Sequence, residues 1–221
     1  MLLKELYILI KKEILLEWRQ RYALSGIVLY LVCSVFLVYM AFGSANINAE
    51  TWVTLFWIVM LFTAVNAVAK SFIQESRGLR LYHYTIASPY AIILSRMIYN
   101  VFLLAVLVLA GLPVFLIVLG NPVENLPLFI FAAAMGAISF ATGFTMISGI
   151  ASYASNAGTM MVILGFPVII PVLLLLIKIS KAAIELSSSG QTNDFIWTLV
   201  AINMITVTTS VLLFPYLWRA N

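Results

Sequence analysis

The amino-acid sequence predicts an all-α membrane protein with six transmembrane helices, an N-terminal interfacial amphipathic helix, and both the N- and C-termini in the cytoplasm. Of the 221 residues, 64% are hydrophobic and 9% are charged, whereas a soluble domain carries about 25% charged residues. Six uncharged apolar runs reach the length of about 20 residues that a helix needs to cross a bilayer. The basic residues are distributed unevenly between these runs. This composition argues against a soluble enzyme and, despite a net charge of +4, against a nucleic-acid-binding domain.

The apolar runs define six spans within one transmembrane domain that covers residues 1–221. The predicted spans are residues 22–42, 51–69, 97–119, 126–150, 159–177 and 195–218. Short polar segments separate most of them. The exception is residues 70–96, a longer polar segment with Gly78 and Pro89 as breakers. We therefore expect the main surface outside the membrane to come from this segment.

Residues 1–21 mix charged and apolar side chains in the pattern of an amphipathic helix. The apolar residues recur at steps of three and four, which places them on one side of a helix. They are Leu3, Leu6, Tyr7, Ile10, Ile14 and Trp18. This pattern predicts a helix that lies along the membrane before the first span. An ordinary cytoplasmic helical extension is the alternative.

The basic residues indicate which side of the membrane faces the cytoplasm. Six spans put both termini on one side, and ten of the twelve Lys and Arg residues fall on that side. Lys178 and Lys181 are the two on the other side. Because loops rich in Lys and Arg remain in the cytoplasm, this asymmetry predicts cytoplasmic termini.

The interiors of the predicted spans contain no Asp, Glu, Lys, Arg or His. Proton- and ion-coupled transporters place ionisable groups at mid-membrane, and ion channels use charged rings or exposed carbonyls. The sequence favours neither class. We expect the polar residues of the spans to form hydrogen bonds between helices. They are Thr63, Asn66, Asn100, Thr142, Thr145, Ser148, Asn203, Thr206 and Thr208.

Two spans carry residues that bear on helix packing. In the fourth span, a seam of small residues lets another helix approach closely, either in this chain or in a second copy. The seam consists of Ala132, Gly136, Ser139 and Gly143. In the fifth span, Pro167 and Pro171 remove backbone donors, so this helix should be kinked or broken. The kink is either a fixed packing feature or a hinge that moves in a working cycle.

The residues that would mark an enzyme do not occur in this sequence. It has no phosphate-binding Gly-x-x-x-x-Gly-Lys-[Ser/Thr] motif, no Gly-x-Ser-x-Gly motif and no His-Glu-x-x-His motif. Cys33 is the single cysteine, expected to be a small buried side chain, and His83 is the single histidine. We therefore expect no metal site. Energy for directed work must then reach this chain through a partner.

Residues 70–96 are the best candidate for a partner-binding surface. They hold too many apolar and aromatic groups for a free loop, namely Phe72, Ile73, Leu79, Leu81, Tyr82 and Tyr84. Arg77 and Arg80 flank these groups, and Tyr and Arg are the residue types that dominate binding energy at interfaces. A short helix presenting them would fit a groove on a soluble subunit. The alternative is an amphipathic helix on lipid headgroups.

Several short motifs resemble one family. They are Phe72-Ile-Gln-Glu75-Ser-Arg-Gly78, Pro89, Arg96, Gly111-Leu-Pro113, Leu119-Gly120 and Leu164-Gly-Phe-Pro167-Val-Ile-Ile-Pro171. With the chain length and the six spans, these residues resemble haem exporter protein B. This is the CcmB family, the permease-type subunit of the ABC complex of cytochrome c maturation.

The resemblance implies a function, a set of partners and a coupling site. The chain would be a non-enzymatic, multi-pass subunit of the cytoplasmic (inner) membrane that couples ATP hydrolysis to haem delivery or to release of a haem-loaded periplasmic chaperone. The implied partners are an ATP-binding cassette subunit, a haem-handling membrane subunit and a small single-span subunit, with two copies of this chain per complex. ATP and Mg would bind the ATPase subunit, this chain would bind no cofactor, and the complex would handle haem. The predicted ATPase-coupling residues come partly from the residue types of this segment and partly from the family motif: Phe72, Glu75, Arg77, Gly78, Arg80, Leu81, Tyr82, Tyr84 and Pro89.

Two other functions remain open from the residues alone. One is an ABC permease that exports a drug or a lipid. The other is a membrane assembly factor without energy coupling. Both share the predicted six-span architecture, so the distinction between the three functions depends on the partner and on the transported substance.

Overall fold

A computed structural model describes residues 2–19, 21–42, 47–68, 88–152, 156–185 and 189–219. Over these ranges the chain forms seven α-helices and no β-strand. They are α1 (Leu2–Arg19), α2 (Arg21–Phe42), α3 (Ala49–Val68), α4 (Pro89–Leu119), α5 (Leu126–Ala151), α6 (Ala157–Glu185) and α7 (Ser189–Arg219). Six of them, α2 to α7, are long and apolar enough to cross a membrane. The predicted all-α fold with six spanning helices is confirmed.

The spanning helices are longer than the apolar runs that predict them. α4 begins at Pro89, well before residue 97, and α6 continues to Glu185, well past residue 177. The 31 residues of α4 extend about 46 Å at 1.5 Å per residue, whereas the hydrocarbon core is about 30 Å thick. The length of an apolar run reflects the thickness of the hydrocarbon core, whereas the helix and its backbone hydrogen bonds continue beyond that core.

Local signals set the ends of α4 and the start of α5. Ser88 is extended and its side chain accepts a hydrogen bond from the Ala91 backbone N–H, which caps the first turn of α4. Pro89 occupies the first helical position, where a missing N–H costs nothing. α4 stops at Gly120, whose φ of 84° is readily adopted only by glycine. The Asn125 side chain then caps α5.

α5 lies at the centre of the bundle and contacts α3, α4, α6 and α7. Large aromatic side chains fill the space between α3, α4 and α5. In this cluster, Trp52 stacks on Phe56 with ring centroids 5.8 Å apart, and Phe115 meets Phe56 edge-on at 5.3 Å. By contrast α2 lies at the periphery, and Cys33, expected to be buried, is on an exposed face of α2.

The small-residue seam of α5 is covered by helices of the same chain. Gly136 lies directly under the Trp57 ring of α3, and Leu176 of α6 approaches the same position to 3.3 Å from an ideal Cβ atom. At Gly143, Ile169 of α6 would be 3.1 Å from such an atom. Ala132 and Ser139, the other members of the seam, are buried. The seam thus allows α3 and α6 to approach α5 closely.

Most hydroxyl groups in the spans are bonded within their own helix. Thr63, Ser139, Thr142, Thr145 and Thr206 each donate to the carbonyl four residues earlier. The expectation of bonds between helices is therefore wrong for the hydroxyl donors of Thr63, Thr142 and Thr206, because a helical Ser or Thr can satisfy its hydroxyl on the preceding turn.

Hydrogen bonds between buried side chains do join spanning helices in the described part of the chain. The Asn100 side-chain amide of α4 donates to the Thr145 hydroxyl of α5 at 2.8 Å. The Trp57 indole N–H of α3 donates to the Ser180 hydroxyl of α6 at 2.9 Å. Both pairs are buried, so each bond replaces one that water would make outside the membrane.

α1 packs lengthwise against the start of α4, and the two helices run in the same direction. Three pairs of side chains, 83, 83 and 82 residues apart along the chain, make this contact: Glu5 with Ser88, Glu13 with Arg96, and Glu17 with Tyr99. A nearly constant separation over about 18 Å of helix requires almost parallel axes. The N-terminal helix is therefore present, and it runs along α4 rather than across it.

Replacing Gly136 by alanine tests the close approach of α3 to α5. The new Cβ atom would lie on the Trp57 ring, so the indole must move. We expect Gly136→Ala to lose about 1–3 kcal/mol of stability through overpacking. This loss exceeds or cancels the gain of about 1 kcal/mol that alanine brings inside a helix. The measurement is the unfolding midpoint of the purified protein in detergent.

Gly26→Ala in α2 is the matched control, because nothing lies within 4 Å of a Cβ atom there. Its midpoint should stay the same or rise. If the two variants had the same midpoint, the proposed contact between Trp57 and Gly136 would not limit the packing of α5.

Candidate coupling site

The predicted coupling segment, residues 70–96, is described from Ser88 onward. Eight of its predicted residues lie outside the described part of the chain: Phe72, Glu75, Arg77, Gly78, Arg80, Leu81, Tyr82 and Tyr84. The ninth, Pro89, is half-buried at the first position of α4. The described part therefore shows how the segment enters the bundle.

Ser88, where the segment enters α4, is bound to the N-terminal helix. The carboxylate of Glu5 accepts hydrogen bonds from the Ser88 hydroxyl at 3.1 Å and from the Ser88 backbone N–H at 3.4 Å. The same hydroxyl oxygen accepts from the Ala91 N–H at 3.4 Å. One serine thus caps α4 and attaches it to α1.

Arg96 lies two turns further along α4 and is buried, with 4% of its surface exposed. Its guanidinium Nε lies 3.8 Å from the carboxylate of Glu13, which also lies 3.6 Å from the Lys12 ammonium. A buried cation needs such compensation, because its desolvation is costly. The acidic residues of α1 therefore supply the counter-charge for the first turns of a spanning helix.

Sequence reasoning identified Arg96 as the basic residue at the start of the third span but did not predict its acidic partner. A signal was present, since Glu5, Glu13 and Glu17 fall at multiples of four residues and share a helix face. The apolar pattern on another face of the same helix is more prominent in the sequence than the spacing of these glutamates. Glu13 also lies 83 residues before Arg96 in the sequence, and the periodicity of one helix does not indicate contacts with a distant helix.

Polar contacts mark the two ends of the bundle. The Glu5–Ser88 contact brings the N-terminal helix to the end where residues 70–87 meet α4. At the other end of α3, Glu50 forms an ion pair with Lys181 of α6 at 2.7 Å. Lys178 lies near it in the chain, with its ammonium 4.9 Å from the centre of the Phe195 ring. Lys178 and Lys181 are thus separated from the N-terminal basic residues by the length of the helices.

The proline pair of α6 lies on an exposed face of an unbroken helix. α6 is helical from Ala157 to Glu185, through both Pro167 and Pro171, and both prolines are exposed. Each proline removes one intrahelical bond, to the carbonyl four residues earlier. The helix is therefore not broken as the sequence allowed, and the remaining backbone bonds are sufficient to continue it. The hinge function of the pair stays a prediction.

An apolar groove with a cavity volume of about 150 Å³ lies between α3, α5 and α6. Its lining includes Phe62, Phe144, Met161, Gly165, Ile169 and Leu173. Met161 is buried in the groove among aliphatic and aromatic neighbours. The groove is suited to an apolar group, and sequence analysis missed it because three separate helices line it.

A search of curated proteins finds no match. A family model described as CcmB protein matches residues 4–220, almost the whole chain. Six spanning helices agree with the permease-type membrane subunits of that family. The chain therefore belongs to the CcmB family, haem exporter protein B, whose members are membrane subunits of an ABC-type haem export system in cytochrome c maturation.

Proposed function

We propose that this CcmB protein couples ATP hydrolysis by a cytoplasmic ATPase subunit to haem delivery, or to release of a haem-loaded periplasmic chaperone. The observation that carries this proposal is the family match over residues 4–220. Family membership implies an ABC-type complex with an ATPase subunit. The chain itself contributes helices that move and a surface on which the ATPase acts.

The ATPase acts on residues 70–96. In sequence this segment combines apolar, aromatic and arginine side chains, the types that anchor protein–protein contacts. The contacts of Ser88 with Glu5 and of Arg96 with Glu13 support this assignment, because they connect the end of the segment to two helices. The coupling residues are Phe72, Glu75, Arg77, Gly78, Arg80, Leu81, Tyr82, Tyr84 and Pro89.

The segment and both termini face the cytoplasm, and the protein resides in the inner membrane. The excess of Lys and Arg on the side of the termini supports this orientation. The count of Lys and Arg residues assumes that the N-terminal helix and residues 70–96 lie on the same side of the membrane. The contact between Glu5 and Ser88 supports this assumption, because it brings these two basic segments to one end of the bundle.

The complex contains two copies of this chain and two ATPase subunits, together with a haem-handling membrane subunit and a small single-span subunit. ATP and Mg bind the ATPase subunits, and the present chain binds no cofactor of its own. Haem is handled by the complex as its cargo. The relation to the family is the support for this composition.

Substitutions in the coupling segment test the function. We expect Glu75→Gln and Gly78→Val to leave membrane insertion intact and to reduce c-type cytochrome formation about tenfold, the size of a lost interface anchor. The measurements are haem staining of c-type cytochromes and co-purification of the ATPase subunit. Glu124→Gln, an exposed carboxylate in the loop before α5, is the matched control and should have no effect.

A deletion strain separates the three functions that the sequence left open. Normal haem staining of c-type cytochromes in that strain would eliminate the proposal. Altered drug resistance or lipid composition would instead identify an exporter of those compounds. Absence of any ATP-binding subunit from the purified complex would identify an assembly factor without energy coupling.

Pro167→Ala tests whether α6 bends during the cycle. Alanine restores the hydrogen bond to the Ile163 carbonyl and straightens the helix. We expect the variant to assemble normally and to turn over several-fold more slowly, measured as ATP hydrolysis by the reconstituted complex. Pro215→Ala in α7 is a control with the same chemistry. An unchanged rate for Pro167→Ala would leave the proline with a packing function alone.

A further inference from the structure

α1 turns its acidic side chains toward the protein and most of its basic side chains, Lys12 excepted, away from it. Glu5, Glu13 and Glu17 are partly buried, whereas Lys4 and Lys11 are exposed. Removing a carboxylate from water is costly unless a partner on the protein compensates. Each of the three carboxylates has such a partner on α4. The acidic face of α1 is therefore its binding face.

Leu9 lies between Glu5 and Glu13 on the same face of α1, and this apolar position allows only one alignment of that face with α4. It packs on an apolar cluster of α4 and α7, which consists of Ile92, Ile93, Met97 and Phe214. A shift of α1 by one turn in one direction would bring Glu13 opposite Ile92, and a shift in the other direction would bring Glu5 there. Either shift would bury a carboxylate among apolar side chains. The sequence of α1 thus matches α4 in one register.

The ion pair between Arg96 and Glu13 strengthens this choice of register more than it stabilises the fold. A buried ion pair contributes little net stability, because desolvation offsets the attraction. Removing one partner is nevertheless strongly destabilising, since it leaves a charge buried alone. Buried polar groups of this kind are best known for setting the register of paired helices. Arg96, with 4% of its surface exposed, meets this description.

We propose that the carboxylates of Glu5, Glu13 and Glu17 clamp α1 to the first three turns of α4 as one rigid unit, and that this unit transmits the movement of the coupling segment into the membrane. This transmission of movement rests on the proposed coupling function. Glu5, Glu13 and Arg96 are positioning residues in this mechanism.

The connections of the clamped unit define the path of the movement. Force on residues 70–87 arrives at Ser88, which Glu5 holds at one end of the clamp. α4 carries the displacement into the bundle, where Asn100 is bonded to Thr145 of α5. α1 ends at Arg19, and α2 begins at Arg21. One displacement of the segment therefore reaches α2 and α4 together.

Thiol cross-linking tests the register in the intact complex. In a Cys33→Ser background, Glu5→Cys and Ser88→Cys form the in-register pair, and Leu9→Cys with Ser88→Cys is the control one turn away. The probe is the shortest bis-methanethiosulfonate reagent, applied to membranes with and without ATP. We expect the in-register pair to cross-link under both conditions and the control pair to remain unlinked. Equal cross-linking of the two pairs would overturn the fixed register.

The same pair tests transmission. Before cross-linking, the Glu5→Cys/Ser88→Cys complex lacks one contact of the clamp, so it should deliver less haem for each ATP hydrolysed. Cross-linking replaces the contact and should restore the ratio toward that of the unmodified complex. If cross-linking instead abolishes delivery while ATP hydrolysis continues, α1 must move relative to α4, and the rigid unit is refuted.

Charge reversal tests the buried pair. We expect Glu13→Arg or Arg96→Glu alone to lower the haem delivered per ATP about tenfold, in the range of known coupling changes. The double variant Glu13→Arg/Arg96→Glu should recover most of that ratio. A double variant no better than the single ones would overturn the clamp. Should the single variants fail to assemble, recovery of assembly in the double variant is the corresponding readout.

The two parts of the proposal fail separately. The cross-linking pattern requires no ATPase, so it decides the clamp even if the coupling function is wrong. Loss of the proposed function would appear as ATP hydrolysis unrelated to haem delivery in the unmodified complex. A cross-linked clamp without any change in the delivery ratio would retain the register and overturn the transmission.

Discussion

Trp57 connects three spanning helices through one side chain. Its ring covers Gly136 of α5, its indole N–H donates to Ser180 of α6 at 2.9 Å, and it packs edge-on against Phe140. Aliphatic contacts alone do not orient helices in a membrane, because lipid tails are as apolar as leucine. A close approach at glycine and a hydrogen bond with no competing water do orient them. The position of α3, from which the coupling segment departs, depends on this residue.

The number and type of the helices and most of their ends could be predicted from the sequence, whereas the start of α4, the end of α6 and the start of α7 could not. Each span is an uncharged run of adequate length, so hydropathy counts the spans correctly. The hydropathy of the sequence falls where the lipid ends, however, and Ser180 lies beyond the predicted end of the fifth span at residue 177. The sequence there is typical of a polar loop. The structure shows Ser180 helical and buried beneath Trp57. Contacts between distant positions determine such details, and the pattern of a single helix does not contain them.

The candidate site was predictable in part for the same reason. Pro89 and Arg96 lie where the sequence suggests, at the start of the helix that follows the coupling segment. The assignment of the segment itself remains a prediction from its residue types. The attachment of Ser88 and Arg96 to α1 was not predictable, because the apolar pattern of α1 directs attention to its membrane side. Its carboxylates are on the side that binds the protein.

The polar contacts between helices at the centre of the bundle form two pairs of helices. Asn100 and Thr145 join α4 to α5, whereas Trp57–Ser180 and Glu50–Lys181 join α3 to α6. The two pairs meet along the small residues of α5, where the Ser139 and Thr142 hydroxyls donate to their own backbone. Near one end a backbone bond from Asn125 to Ala183 also links them. Packed helices slide past one another in small shear steps. A step of this kind, taken by α3 and α6 along α5, would have to displace the Trp57 indole from Gly136, where the ring already occupies the space of a side chain.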